Sequence, residues 1–180
     1  MASLLRFGTG RPRLAARVQP KPPSASESVL TRWMGIPDAN TAGNVHGGTI
    51  MKMVDEVAGV AAVRHSGSRV VTAAMDRMTF NQPVFVGQLV TVKAKVNAAW
   101  RTSMEVGVRV EAENVRTGEV THTSAAYLTM VALTDEGQPT PVPPVEPMTD
   151  DERRREREAQ LRRDNRLRER EEIKRGRDGS

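Results

Sequence analysis

The sequence predicts an α+β domain in which one long helix lies against an antiparallel sheet. Three observations predict it. Apolar residues recur at helical spacing between Thr49 and His65, alternating apolar and polar segments follow, and the Pro-rich stop PTPVPPVEP closes the series. A helix and a sheet each carry one apolar face, and burying the two against each other forms a single core. The chain has 180 residues, enough for one such domain with attachments.

Residues 1–27, rich in Arg, Pro, Ser and Gly, are expected to be a disordered basic extension. No acid precedes Glu27, so the segment also has a faint likeness to an organelle transit peptide, but a loose extension is the favoured reading. A short extended piece, VLTRWMGIP, comes next. Then Ile50, Met51, Val54, Val57, Ala58, Ala61 and Ala62 form one stripe of a helix over Thr49–His65. Gly47 and Gly48 give it a flexible entry in place of a strong Ser, Thr or Asp cap, and HSGS ends it.

The segment RVVTAAMDRMTF is β-branched and reads as a strand, and NQPVFVG as a punctuated connection. LVTVKAKV and MEVGVRVEAE alternate as half-buried antiparallel strands do. NVRTGEV supplies a turn into the last strand, VTHTSAAYLTMVAL. Three or four long strands and the helix thus make a domain over residues 28–146. Residues 147–180 form a charged helical tail whose Leu161, Leu167 and Ile173 do not share one stripe, so it reads as solvated or partly disordered.

Charge and composition exclude several functions. Residues 1–28 carry five basic residues against Glu27, and residues 150–180 carry twelve basic against ten acidic, so the net +5 leaves the body at −1. Nucleic-acid binding needs a surface of one sign, so it is not expected of the body. There are no cysteines, and the three histidines, His46, His65 and His122, are too far apart for a helical zinc motif, so no metal is expected. His65 falls on the helix stripe as a buried, satisfied histidine, and His122 lies in a strand without an evident partner. No apolar run approaches the roughly 20 residues that span a bilayer. A cytoplasmic protein without membrane insertion is expected.

The chemistry concentrates in NTAGNVHGGTIMKMVDEVAG. On a helical wheel Glu56 points about 160° from the stripe centre and Asp55 about 100° from it, beside Met51, Ala58 and Ala62. Glu56 therefore belongs to the outer face and Asp55 to the edge of the buried one. A carboxylate there is costly unless bonded or used. The GNVHGG entry offers a use, because unpaired N–H groups at a helix start can hold an oxyanion and the glycines let a substrate approach. No G-x-S-x-G elbow or nucleotide-binding fingerprint is present. Hydrolysis would use water activated by Asp55 or Asp55 itself as nucleophile.

The stretches DANTAGNVHGGTIMKMVDEVAGVAAVRH, VVTAAMDRMTFNQPVFVGQLVTVKAKV and RTSMEVGVRV resemble the acyl-CoA thioesterases of the hot-dog fold. The nearest likeness is to the cytosolic (brain-type) acyl-CoA hydrolases and their single-domain bacterial relatives, over about Ser28 to Val145. The resemblance implies a central helix wrapped by a curved antiparallel sheet, dimers sharing one continuous sheet, and trimers of dimers. It implies hydrolysis of fatty acyl-CoA to fatty acid and CoA, with CoA as part of the substrate and no cofactor. By it, Asp55 is general base or nucleophile, and Asn44 of the other subunit orients the water or thioester. Gly47 and Gly48 polarise the carbonyl, and Arg64, Arg101, Thr102 and Ser103 face the CoA unless they are ordinary surface residues near strand ends; His46 is placed with them, although a structural role is the favoured reading for it. Two alternatives carry less support: dehydration, whose His is absent from MVDEVAG, and a non-catalytic acyl-CoA-binding regulator, for which residues 1–28 offer no helix-turn-helix.

Overall fold

A computed structural model describes residues 19–178. Strand β1 (Ser28–Trp33) is followed by helix α1 (Gly47–Ser66), strands β2 (Arg69–Phe80), β3 (Leu89–Ala99), β4 (Ser103–Asn114) and β5 (Glu119–Leu133), and helix α2 (Asp150–Asp178). The strands form one antiparallel sheet in the order β1-β3-β4-β5-β2. Four long strands match the expectation, and VLTRWMGIP supplies the fifth by pairing with β3 from Ser28–Ala94 to Trp33–Leu89.

Alternation decides which face each strand buries. Val90, Val92 and Val96 of β3, Met104, Val106 and Val110 of β4, and Leu128 and Met130 of β5 point to one side and are almost wholly buried. Helix α1 packs on that side through Ile50, Met53, Val54, Val57, Ala58, Ala61 and Ala62. Three alanines in this face let the helix axis sit close to the sheet. Met51, placed in the stripe by the wheel, is instead 42% exposed, because β2 is the last strand and no described residue beyond it covers that side.

β2 is the irregular strand. Its pairing with β5 shifts between Thr72 and Ala74 and again between Asp76 and Thr79, and Arg77 there has a positive φ of 33°. Bulges of this kind bend an edge strand and re-aim its side chains. Among the described residues the other side of β2 pairs with nothing.

Two expectations are corrected. The disorder expected of residues 1–27 falls outside the described residues up to position 18, but residues 19–27 are built into the domain. Lys21 bridges to Val145, and its Nζ donates to the His65 carbonyl (2.7 Å) at the C-terminal end of α1. Ser26, fully buried, donates to the Pro23 carbonyl (2.7 Å) and accepts the Val96 amide (2.9 Å). These few polar contacts hold a segment whose composition reads as loose.

The charged tail is not simply solvated. α2 crosses the sheet face opposite α1, with Ala159 completely buried. Arg162 forms a two-pronged pair with Glu105 (3.0 and 2.7 Å) and stacks on Tyr127, 3.6 Å from the ring centre. Arg163 lies over Trp100, whose Nε1–H donates to Gln160 (2.8 Å), and Arg166 pairs with Asp76 of β2. Arginine stems and planar heads cover apolar and aromatic surface as leucines would, which hydrophobic periodicity does not register.

His65 is buried as expected. Its Nε2–H donates to the Pro143 carbonyl (2.8 Å), which fixes the tautomer, and Nδ1 has no partner. Burial lowers its pKa from 6.5; the Pro143 bond opposes this and Lys21 adds to it. The unfolded chain therefore takes up the proton first. The contribution to stability is complete above pH 6.5 and is lost as pH falls below that value. Denaturant titrations from pH 7.5 to 5 should show a steeper loss of stability for the wild type than for His65→Gln. His122 does find a partner, as its Nδ1 lies 3.2 Å from the Val110 carbonyl.

Candidate active site

The start of α1 is organised by the loop before it. Asn40 Oδ1 accepts the amides of Ala42 (2.9 Å) and Asn44 (3.2 Å), an Asx turn closed by the bond from the Asn40 amide to the Asn44 carbonyl (2.7 Å). Gly43, with φ of 84°, makes the reversal possible. The Val45 amide donates to Val84 (2.8 Å), and the His46 amide donates to the carbonyl of buried Asp38 (2.8 Å). Asp38 itself pairs with Arg32 (2.6 Å).

The helix does have a side-chain cap, and it is His46. Its Nδ1 accepts the Gly48 amide (3.0 Å). A Cβ on Gly48 would sit 3.1 Å from that same nitrogen, so a side chain here would push the capping ring outward by a few tenths of an ångström. Of the two amides expected to face a substrate, Gly48 N–H is thus already engaged. Gly47 N–H, as the first in the helix, has no intrahelical acceptor.

Gly47 opens onto a pocket of about 300 Å³. Its walls include Asn40, Asn44, Val45, Ile50, Phe80 and Val84. The pocket joins the helix start to the end of β2, where the Phe80 ring lies 3.5 Å from a Cβ position on Gly47. An unpaired amide beside an apolar wall suits a polar carbonyl attached to a hydrocarbon group.

Asp55 is on α1 but does not line this pocket. It stands roughly 12 Å along the axis from Gly47, at 1.5 Å per residue. Its Oδ1 accepts the hydroxyl of Thr72 on β2 (2.6 Å). Within one chain Asp55 is exposed, not at a buried edge, for the same reason as Met51: β2 ends the sheet there. Glu56 is exposed as expected and lies 3.8 Å from Lys52.

The remaining expected residues lie elsewhere. Arg64 is near the far end of α1, where it donates to the Glu27 carbonyl and to Ser28 Oγ (3.1 Å). Arg101 and Thr102 form the β3–β4 turn and Ser103 begins β4, at the sheet end shared with Arg69 and Leu133. The Arg101 and Thr102 carbonyls accept the amides of Val142 and Ala132, and Ser103 Oγ lies 3.5 Å from Arg163. One chain therefore separates three groups: the Asn40–Gly48 loop, Asp55 with Thr72, and the Arg64 and Arg101–Ser103 end. Among the described residues no group of three His, Asp or Glu side chains could hold a metal ion, and no helix is long and apolar enough to cross a membrane.

Two residues at the site escaped the sequence reading. Thr72 lies in a strand that reads only as β-branched, and its hydroxyl gains meaning from the α1–β2 packing. Asn40 carried a usable signal, since Asn two residues before a small residue and ahead of Gly43 is an Asx-turn pattern.

Comparison with known proteins decides the family. Residues 42–119 match the model of the thioesterase superfamily. The VdlD protein of Helicobacter pylori is 41% identical over 128 residues, covering 71% of this chain and 73% of that protein. The chain belongs to the thioesterase superfamily. Its helix-on-sheet architecture is the hot-dog fold. The rat cytosolic acyl coenzyme A thioester hydrolase is 37% identical over 139 residues, 76% of this chain but 36% of that longer protein. A crystal structure described as an apo-hexameric acyl-CoA thioesterase superposes with a TM-score of 0.82 at 40% identity, over 84% of this chain and 97% of the other. An acyl-CoA hydrolase of Staphylococcus aureus, solved with butyryl-CoA, CoA and CoA disulfide, gives 0.80 at 35% identity, over 87% and 95%. The same hydrolase has been solved with an Asp, an Asn or a Thr replaced by alanine, the Asn variant with CoA bound.

Proposed function

We propose that this protein is a cytoplasmic acyl-CoA thioesterase that hydrolyses fatty acyl-CoA to a fatty acid and CoA, with no cofactor. The observation that carries the reading is the Thr72–Asp55 pair on the exposed side of a helix whose start, about two turns away, offers a free amide that a second subunit can supply. Thr72 donates to one carboxylate oxygen of Asp55 and leaves the other to take a proton from water. That water attacks the thioester carbonyl, the Gly47 amide takes up the developing negative charge, and the CoA thiolate leaves.

The site is completed by a second subunit. Asp55, Thr72, Met51 and Val71 are exposed along the unpaired edge of β2. Joining two such edges covers them and brings the Asn40–Gly48 loop of one subunit to Asp55 of the other. Homodimers so formed assemble as trimers of dimers, as the hexameric relative supports. A CoA-phosphate role for Arg64, Arg101, Thr102 and Ser103 requires a neighbouring subunit to bring that end of the sheet to the site.

The partner asparagine is Asn40 rather than Asn44, the residue chosen by resemblance. In the S. aureus hydrolase the substituted Asn lies fifteen residues before the substituted Asp, and the Thr seventeen after it. Asn40, Asp55 and Thr72 stand at those separations, whereas Asn44 is eleven from Asp55. The loop supports the same choice. Asn40 Oδ1 is fixed by two amides, which aims its NH₂ as a donor, while the Asn44 side chain has no such anchor.

The test is release of free CoA from acyl-CoAs of increasing chain length. Asn40→Ala should lose about 10²–10³-fold in kcat, the loss of one oriented donor, and Asn44→Ala less than about 10-fold. If the wild type released no CoA from any of them, the enzymatic reading would be wrong. If Asn44→Ala were the more damaging change, the original assignment would be restored.

A further inference from the structure

Helix α2 is longer than the sheet it covers. It meets β3 where Lys95 lies 3.9 Å from Glu152, passes β4 and β5 where Arg162 engages Glu105 and Tyr127, and reaches β2 where Arg166 pairs with Asp76. β2 is the last strand. The helix then runs on from Arg166 to Asp178, about 18 Å at 1.5 Å per residue. That is nearly four strand spacings of about 4.8 Å. Its course from β3 toward β2 carries this length past the edge of the sheet.

The overhang keeps the register of the part that is docked. Ala159, Arg162 and Arg166 face the sheet, and the same three- and four-residue steps continue through Glu169 or Arg170 to Ile173 and Arg177. Those residues line one shallow groove with Lys174. Residues 167–177 are exposed throughout, including Leu167 (44%) and Ile173 (51%). Five cations and three acids are interleaved there without an aromatic residue, which suits a surface of mixed charge better than a nucleic-acid strand.

We propose that this overhang is an interaction surface for a second copy of the chain. In the dimer joined at the β2 edges, on which this inference rests, α2 of each subunit crosses the twofold axis and lies on the partner's outer layer beside the partner's α2. A twofold contact repeats itself, residue i on j and j on i. An antiparallel pair of these helices sets Glu169 of one against Lys174 and Arg177 of the other and covers Ile173 of both. The helix is then a strap that holds the two halves of each active site together from the side opposite the chemistry.

Because the chain lacks cysteine, Ile173→Cys introduces a sole thiol. A bis-maleimide should link it into a product of two chains in dilute solution. A chain ending at Arg166 keeps every described contact between α2 and the sheet. It should retain the wild-type circular dichroism while its dimer dissociates at least tenfold more readily in sedimentation equilibrium. Suppose Val71→Cys on β2 crosslinks, but Ile173→Cys does not and the truncated chain dimerises as tightly as the whole one. The strap would then be wrong and the β2-edge dimer right. A full-length chain that sediments as a monomer would overturn both.

Discussion

Asp55→Ala is expected to lower kcat for acyl-CoA hydrolysis by about 10²–10⁴-fold, the contribution of a positioned proton acceptor, without unfolding the protein. The side chain is exposed in the single chain and, among the described residues, bonds only to Thr72, so its loss leaves the core unchanged. Asp55→Asn should be nearly as inactive, because it keeps an acceptor for Thr72 but takes no proton from water. Thr72→Val should cost less, about 10-fold, as it removes an orienting bond and leaves the carboxylate. Mixing Asp55→Ala with Asn40→Ala tests the shared site. Random exchange makes half the dimers mixed, each with one intact site of two, so activity should recover to about a quarter of wild type. A first turnover in ¹⁸O-water should place the label in the released acid. Label found in Asp55 would show attack by the carboxylate instead of by water.

Arg162→Ala is expected to be the most destabilising single change in α2, at about 3–5 kcal/mol, the cost of stranding a buried charge. Glu105 is 1% exposed, and among the described residues Asn97 (3.2 Å) is its only other side-chain partner. The site has little room to adapt. Asn97 lies over Gly107, where a Cβ would fall 2.4 Å from its Nδ2. Replacing both members of the pair, as Glu105→Met with Arg162→Met, should restore most of the loss, since apolar residues of similar volume need no partner. Urea titrations of the two single variants and the double variant give the coupling directly. If Arg162→Ala stayed within about 0.5 kcal/mol of wild type, water would have to reach Glu105 and α2 would be only loosely seated.

The parts of this fold written in apolar spacing were legible. The stripe Ile50–Ala62 and the alternation of β3, β4 and β5 specify a helix on a sheet, because each buries a face whose period is visible. The parts held by polar contacts were not. Residues 19–27 and α2 read as loose because Ser26, Lys21, Arg162 and Arg163 secure them through hydrogen bonds and stacked guanidinium planes, which leave no periodic trace. At the site, Asp55 stood out as a carboxylate on the wrong part of a helix. Thr72 and Asn40 did not, since one depends on which strand lies beside α1 and the other on a turn that aims its amide. The exposure of Asp55 could not be read either, because burial at an edge depends on which strand comes last.

The position of α2 in the chain has a consequence for biosynthesis. The sheet is complete at Leu133, but the guanidinium that neutralises Glu105 belongs to a helix that begins at Asp150 and follows it. At about 5–20 residues per second, the ribosome needs roughly 1.5–6 s to add the 29 residues from Leu133 to Arg162. During that interval the nascent domain holds a carboxylate on a face that is still wet, and its β2 edge is open. Closure waits for α2 to emerge, so the domain acquires its final stability, and its readiness to pair, only after the whole sheet has been made.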